Sequence, residues 1–148
     1  MTTSLDHALD RYAAGDRAGA RQLAAAVGTA SPEYADALNL QAVIAQEEGR
    51  QTEAEALARD ALVRGPDNGI YFNTLGNSLL SQGRSDEALA AFRQAHRLLP
   101  LEADILFNMA NAARDIGDAQ AAARDYRRAV SLRHSRHAAA GNPTCSSS

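Results

Sequence analysis

Apolar residues recur along the chain at helical spacing. Within 69–82, Phe72, Leu75, Leu79 and Leu80 fall on one side of a helix, and nothing in 4–133 alternates in the manner of a strand. Single glycines punctuate the pattern: Gly15, Gly49, Gly83 and Gly117 stand 34 residues apart. Ala20, Ala54, Ala88 and Ala122 repeat in the same phase, and so do Pro32, Pro66 and Pro100, with His134 in the last copy. Phe92 corresponds to Tyr126, with Ala58 and Ala24 in the earlier copies, and Ala95 corresponds to Ala61 and Ala129.

Each residue type has a physical reason to occupy its place. A glycine between two stretches of about fifteen helical residues marks a helix end where the backbone turns left-handed. The alanines suit the crossing of two antiparallel helices, because a methyl group lets the backbones approach closely. The prolines fall where a second helix must stop. The spacing predicts eight helices, over about 4–14, 17–29, 34–48, 51–64, 69–82, 85–98, 103–116 and 119–133. Ser31 is expected to cap the third helix with Pro32 at its first position, and Thr52 with Glu55 to form a capping box on the fourth. A single helix pair cannot bury its apolar side alone, so the copies are expected to stack into an all-α solenoid whose inner helices line a concave face.

Phe72, Leu75, Gly76, Leu79, Ala88, Phe92 and Pro100 resemble the signature of the tetratricopeptide repeat, with Phe72 in place of its usual Trp and Leu79 in place of its usual Tyr. The resemblance covers residues 1–133, as repeats at about 1–34, 35–68, 69–102 and 103–133, and leaves 134–148 as a disordered tail. It implies a right-handed superhelix of antiparallel helix pairs. The first repeat departs furthest, with Ser4, His7 and Arg11 at signature positions, which predicts a short or frayed opening helix; the second has Gln41 where an apolar residue is expected.

Composition narrows the functional classes. Alanine dominates the apolar content and only 5% of residues are aromatic, which favours close-packed helices. Up to Asp125 there are 18 acidic residues and 11 Arg, a net charge of −7, which argues against nucleic acid or an anionic membrane as partner. The amino terminus lacks a basic start and an apolar run, and no stretch approaches membrane-spanning length, so the expectation is a soluble cytoplasmic protein.

Catalytic chemistry is hard to assemble. The glycines are single, no Ser, His and Asp set has motif context, and no Cys and His spacing matches a zinc site. Glu47 and Glu48 are read as solvated surface. His134 and His137 are three apart, but they and Cys145 fall in the presumed tail, so no metal site, cofactor or enzymatic activity is expected.

Asparagines form the one distinctive constellation. Asn39, Asn73, Asn77, Asn108 and Asn111 lie on the presumed inner helices, where each forfeits helix propensity. A carboxamide both donates and accepts, so these groups either hold the main chain of an extended peptide or bridge neighbouring helices. The arrangement resembles the asparagine ladder of O-linked N-acetylglucosamine transferase, with Asn108 at the ladder position and Thr74 and Leu40 at its earlier equivalents. With Arg114 as the one clear cation beside Asp36, Glu47, Asp104 and Asp115, the groove is expected to be acidic and unsuited to clamping a terminal carboxylate.

Three functions are compatible with this reading. One is a non-catalytic module whose concave face, with Asn39, Asn73, Asn77, Asn108, Asn111 and Arg114, binds a peptide or helix of a partner protein. The resemblance to bacterial glycosyltransferase and sulfotransferase arrays implies a second, a substrate-recruiting arm of a larger enzyme. The third is a self-assembling module joined through the last repeat, which has no polar closing helix after Leu132.

Overall fold

The computed structural model describes residues 3–141. Among these residues eight helices run α1 (Ser4–Ala13), α2 (Arg17–Ala25), α3 (Tyr34–Glu47), α4 (Gln51–Arg64), α5 (Gly69–Ser81), α6 (Ser85–Leu98), α7 (Ala103–Ile116) and α8 (Ala119–Gly141). They pair as antiparallel hairpins, and each second helix packs against the first helix of the next pair.

The turn within each hairpin is one device used four times. Gly15, Gly49, Gly83 and Gly117 have φ of +87°, +80°, +79° and +99°, the left-handed region that glycine enters without a Cβ penalty. The next residue's amide reaches back five residues: Asp16 to Arg11, Arg50 to Ala45, Arg84 to Leu79 and Asp118 to Ala113, at 2.8–3.0 Å. These are Schellman closures, and they satisfy carbonyls that the helix end would orphan.

Helix starts differ between copies. Asp16 and Asp118 cap α2 and α8 by accepting from the amides of Gly19 and Ala121 at 2.9 and 3.0 Å. Arg50 and Arg84 hold the same place before α4 and α6 without a side-chain cap, and each instead pairs with a glutamate three residues on, Glu53 and Glu87. The expected Thr52–Glu55 box does not form, because α4 already begins at Gln51 and Glu55 reaches across to Arg84 and Gln82 in the turn of the next repeat. Ser31 accepts from the Glu33 amide and closes a turn, so α3 starts at Tyr34 rather than at Pro32.

Both ends of the array depart from expectation. The opening helix is short, at 10 residues, but Thr3 and Asp6 form a reciprocal capping box that holds its start. Helix α2 stops at Ala25 instead of 29, ahead of the run Gly28-Thr29-Ala30-Ser31. Helix α8 does not end at 133: residues 134–141, expected as disordered tail, continue it, in keeping with the helix propensity of its alanines and arginines. The rest of that segment, including Cys145, lies outside the described residues.

The core runs the length of the stack as a large cluster around Leu79, Phe92, Leu106 and Met109, and a smaller one around Leu5, Ala24, Leu40 and Ile44. At the crossing of α5 and α6, Gly76 lies against the ring of Phe92, which is fully buried.

Candidate functional site: the concave face

First helices touch first helices: α1 meets α3, α3 meets α5 and α5 meets α7, whereas the backbones of α2, α4, α6 and α8 stay apart among the described residues, and α8 reaches α6 through the side chain of Arg128 at His96. The first helices therefore form the inner row and the second helices splay outward. The five asparagines lie on this inner row, on α3, α5 and α7, and all are half-buried; Arg114 is exposed on α7.

Their roles divide. Asn108 Nδ2 donates to Asn73 Oδ1 at 2.9 Å and ties α7 to α5. Asn111 accepts from the Tyr126 hydroxyl, which ties α7 to α8. Asn77 makes no side-chain hydrogen bond among the described residues. Asn39 Oδ1 is buried with no hydrogen-bond partner among them, an acceptor stripped of water and left unmatched. Three of the amides are thus engaged in bridging helices, and Asn39 and Asn77 are left with unspent capacity.

Asn39 also lines a cavity of about 290 Å³ between α1, α3 and α5, with Leu5, Leu9, Tyr12, Asp36, Leu40, Val43 and Ile70 around it. Leu9 and Ile70 are large apolar side chains left 45% and 55% exposed. Sequence reading passed over this wall, although Leu5, Leu9 and Tyr12 recur at the four- and three-residue intervals of one helix side.

The four acids expected to line the groove differ in what they meet. Asp36 accepts from the Tyr71 hydroxyl; burial, and then this carboxylate, push the Tyr71 phenol well above its ordinary value. Glu47 accepts from the Tyr12 hydroxyl and from Arg17 Nε at 2.5 Å, and its pKa is lowered first by Tyr12 and then by Arg17. Asp104 pairs with Arg133 at 2.8 Å, and that guanidinium also lies over the Phe107 ring. Of the four acids, Asp115 alone has no such partner among the described residues. The partners of the other three come from about 30 residues away, beyond the reach of any local pattern.

His134 and His137, expected in a tail, lie exposed on α8. Among the described residues no helix is long and apolar enough to cross a membrane.

Solved structures share the fold. A crystal structure of MamA superposes with a TM-score of 0.77 at 15% identity, over 91% of this chain and 79% of that one. MamA from Desulfovibrio magneticus RS-1 gives 0.77 at 15% identity, over 90% and 75%. TTC0263, a thermophilic TPR protein of Thermus thermophilus, gives 0.76 at 18% identity, over 87% and 72%. No curated protein sequence matches the chain. The sequence profile described as tetratricopeptide repeat matches residues 5–69 and 73–143, nearly the whole length, in the phase set by the four glycine turns. With its paired helices and its period of 34, the chain belongs to the tetratricopeptide repeat family.

Proposed function

We propose that the chain is a non-catalytic protein-interaction scaffold whose concave face holds a segment of a partner protein. An apolar side chain of that segment enters the cavity between α1, α3 and α5, and the amides of α3 and α5 meet its main chain. The observation that carries this reading is the pairing, on one wall, of exposed Leu9 and Ile70 with the unmatched acceptor of Asn39. A buried acceptor without a donor costs free energy that an incoming N–H would recover. Exposed apolar side chains at a concave site are the usual anchors for a ligand. The negative charge of the chain up to Asp125 supports a protein ligand over nucleic acid or an anionic lipid surface.

Selection of a phage-displayed random peptide library on the wild-type chain tests the proposal. Selected peptides should share an apolar residue and should lose at least tenfold in affinity for Ile70→Asp or Leu9→Asp, with a smaller loss for Asn39→Ala. Peptides that bind all three variants as well as wild type would place recognition elsewhere and sink the groove reading.

A further inference from the structure

The two ends of the stack are unlike. At the amino end the side that would receive a preceding repeat carries Ser4, His7 and Arg11, all exposed and polar. At the other end Tyr126, Arg127, Val130, Ser131 and His134 line a shallow apolar depression on the outer side of α8, and Val130 is 57% exposed. The period of 34 identifies what this surface is built to do. Val130 occupies the place of Leu62 and His96, and Tyr126 that of Phe92; Leu62 packs against the core, His96 is half-buried, and Phe92 is fully buried, in helices each followed by another helix pair. The outer side of α8 is thus a helix-receiving surface with no helix on it among the described residues.

We propose that this surface docks an acidic amphipathic helix of a partner protein, a site separate from the concave groove. The charge comes from α8 itself, which holds five Arg and one Asp. Arg128 turns back to His96, and Arg133 and Arg136 pair with Asp104 and Glu102. Arg127 is left beside the apolar strip with no carboxylate partner among the described residues. The helix that α6 receives is likewise amphipathic and net acidic: α7 buries Leu106, Met109, Ala110 and Ala113, and the stretch 102–118 carries Glu102, Asp104, Asp115 and Asp118 against Arg114 alone, although Glu102, Asp104 and Asp118 turn to α8 rather than to α6. A second copy fits poorly in either sense. Stacking head to tail would bury Ser4, His7 and Arg11, and pairing α8 with α8 would set one arginine-rich helix against another.

The test uses a fluorescent peptide of the α7 sequence, residues 102–118, held helical by a lactam bridge on its polar side, titrated with the full chain and followed by anisotropy. A second peptide replaces its four acids with amides. Wild type should bind the acidic peptide saturably, and Val130→Asp should weaken it at least tenfold. Arg127→Glu should weaken it at least threefold, with no such loss for the neutral peptide. Ile70→Asp, in the concave groove, should leave it unchanged. Val130 and Ser131 are both exposed, so Val130→Asp and Ser131→Glu should melt like wild type, and Ser131→Glu serves as the second disruption of the surface. Absence of saturable binding would overturn the proposal. So would a loss caused by Ile70→Asp and not by Val130→Asp. A concentration-dependent mass of the chain alone that Val130→Asp abolishes would assign the surface to a second copy instead.

Discussion

The second and third repeats share one phase yet fill the same helix crossing in opposite ways. In repeat three Gly76 on α5 meets Phe92 on α6, and a Cβ built on Gly76 would stand 2.5 Å from a ring carbon of Phe92. In repeat two the equivalent positions are Ala42 and Ala58, both fully buried in the same cluster. One crossing is nothing against a ring, the other methyl against methyl. What the repeat keeps is therefore the fit of the pair rather than either residue, since close-packed interiors tolerate exchange of volume between neighbours better than its loss. Repeat four takes an intermediate course: Ala110 corresponds to Gly76, and the Tyr126 ring stays half-buried, leaning on Phe107 at 5.9 Å.

The largest expected effect comes from breaking the unequal pair. Phe92→Ala should cost about 3–5 kcal/mol, because it empties the centre of the main cluster. Gly76→Ala alone should cost roughly 1–3 kcal/mol despite alanine's better helix propensity, through overpacking against the ring. Combining the two recreates the pair of repeat two, and denaturant melts should show the double variant more stable than the sum of the singles by roughly 1 kcal/mol or more. Strict additivity would mean that the crossing is not filled as a unit.

This contrast also marks where the sequence was legible. The turns were, because a left-handed residue leaves a glycine at each of four equal intervals and little else will serve. Helix bounds followed from them within a residue or two, except at α2, cut short at Ala25, and at α8, where 134–141 lack an apolar side and periodicity falls silent although alanine and arginine still favour helix. The caps were misread at Thr52 and Ser31 because a cap pattern is local, whereas Glu55 is drawn to side chains of the next repeat. The inner row was found through its asparagines, but their division into bridges (Asn73 with Asn108, Asn111 with Tyr126) and unmatched groups depends on contacts 15–35 residues apart. The apolar wall of Leu9 and Ile70 was missed for a related reason: exposure of an apolar side chain cannot be read from its spacing.

A smaller effect should separate the two joints of the stack. Glu55 on α4 accepts from Gln82 at 3.0 Å and Arg84 at 2.7 Å, both in the turn of repeat three, and from Arg59 at 2.9 Å on its own helix. Thirty-four residues on, the equivalent position is Leu89, which packs against the core. The joint between repeats two and three is thus held partly by charge, and the next one by apolar contact. Glu55→Ala should lower stability by about 1 kcal/mol in dilute buffer and by less in roughly 1 M salt, where the ion pairs are screened. Leu89→Ala should cost at least as much with no such salt dependence. Equal salt slopes for the two variants would remove the distinction.

The smallest effect should be the pH dependence that His96 of repeat three adds near neutrality. His96 stands where repeat two has Leu62, half-buried between α6 and α8, with Arg128 at 3.2 Å from its Nε2, its Nδ1 buried and unmatched, and the buried Asp125 nearby. Burial first and the Arg128 guanidinium second lower its pKa below the ordinary 6.5, and Asp125 opposes them only in part. The unfolded chain therefore takes up a proton at His96 at higher pH than the folded chain does. Stability from this residue is intact well above pH 6.5 and declines as the pH falls through 6.5 toward the lowered value. Replacing the ring with an amide that cannot titrate, His96→Gln, should flatten the decline. Melting temperatures of the two proteins, compared at steps between about pH 8 and pH 5.5, should diverge on the acid side, with wild type losing more. Parallel curves would show that the imidazole titrates alike in both states, and that the exchange of leucine for histidine at this position changes packing without making the joint sensitive to acid.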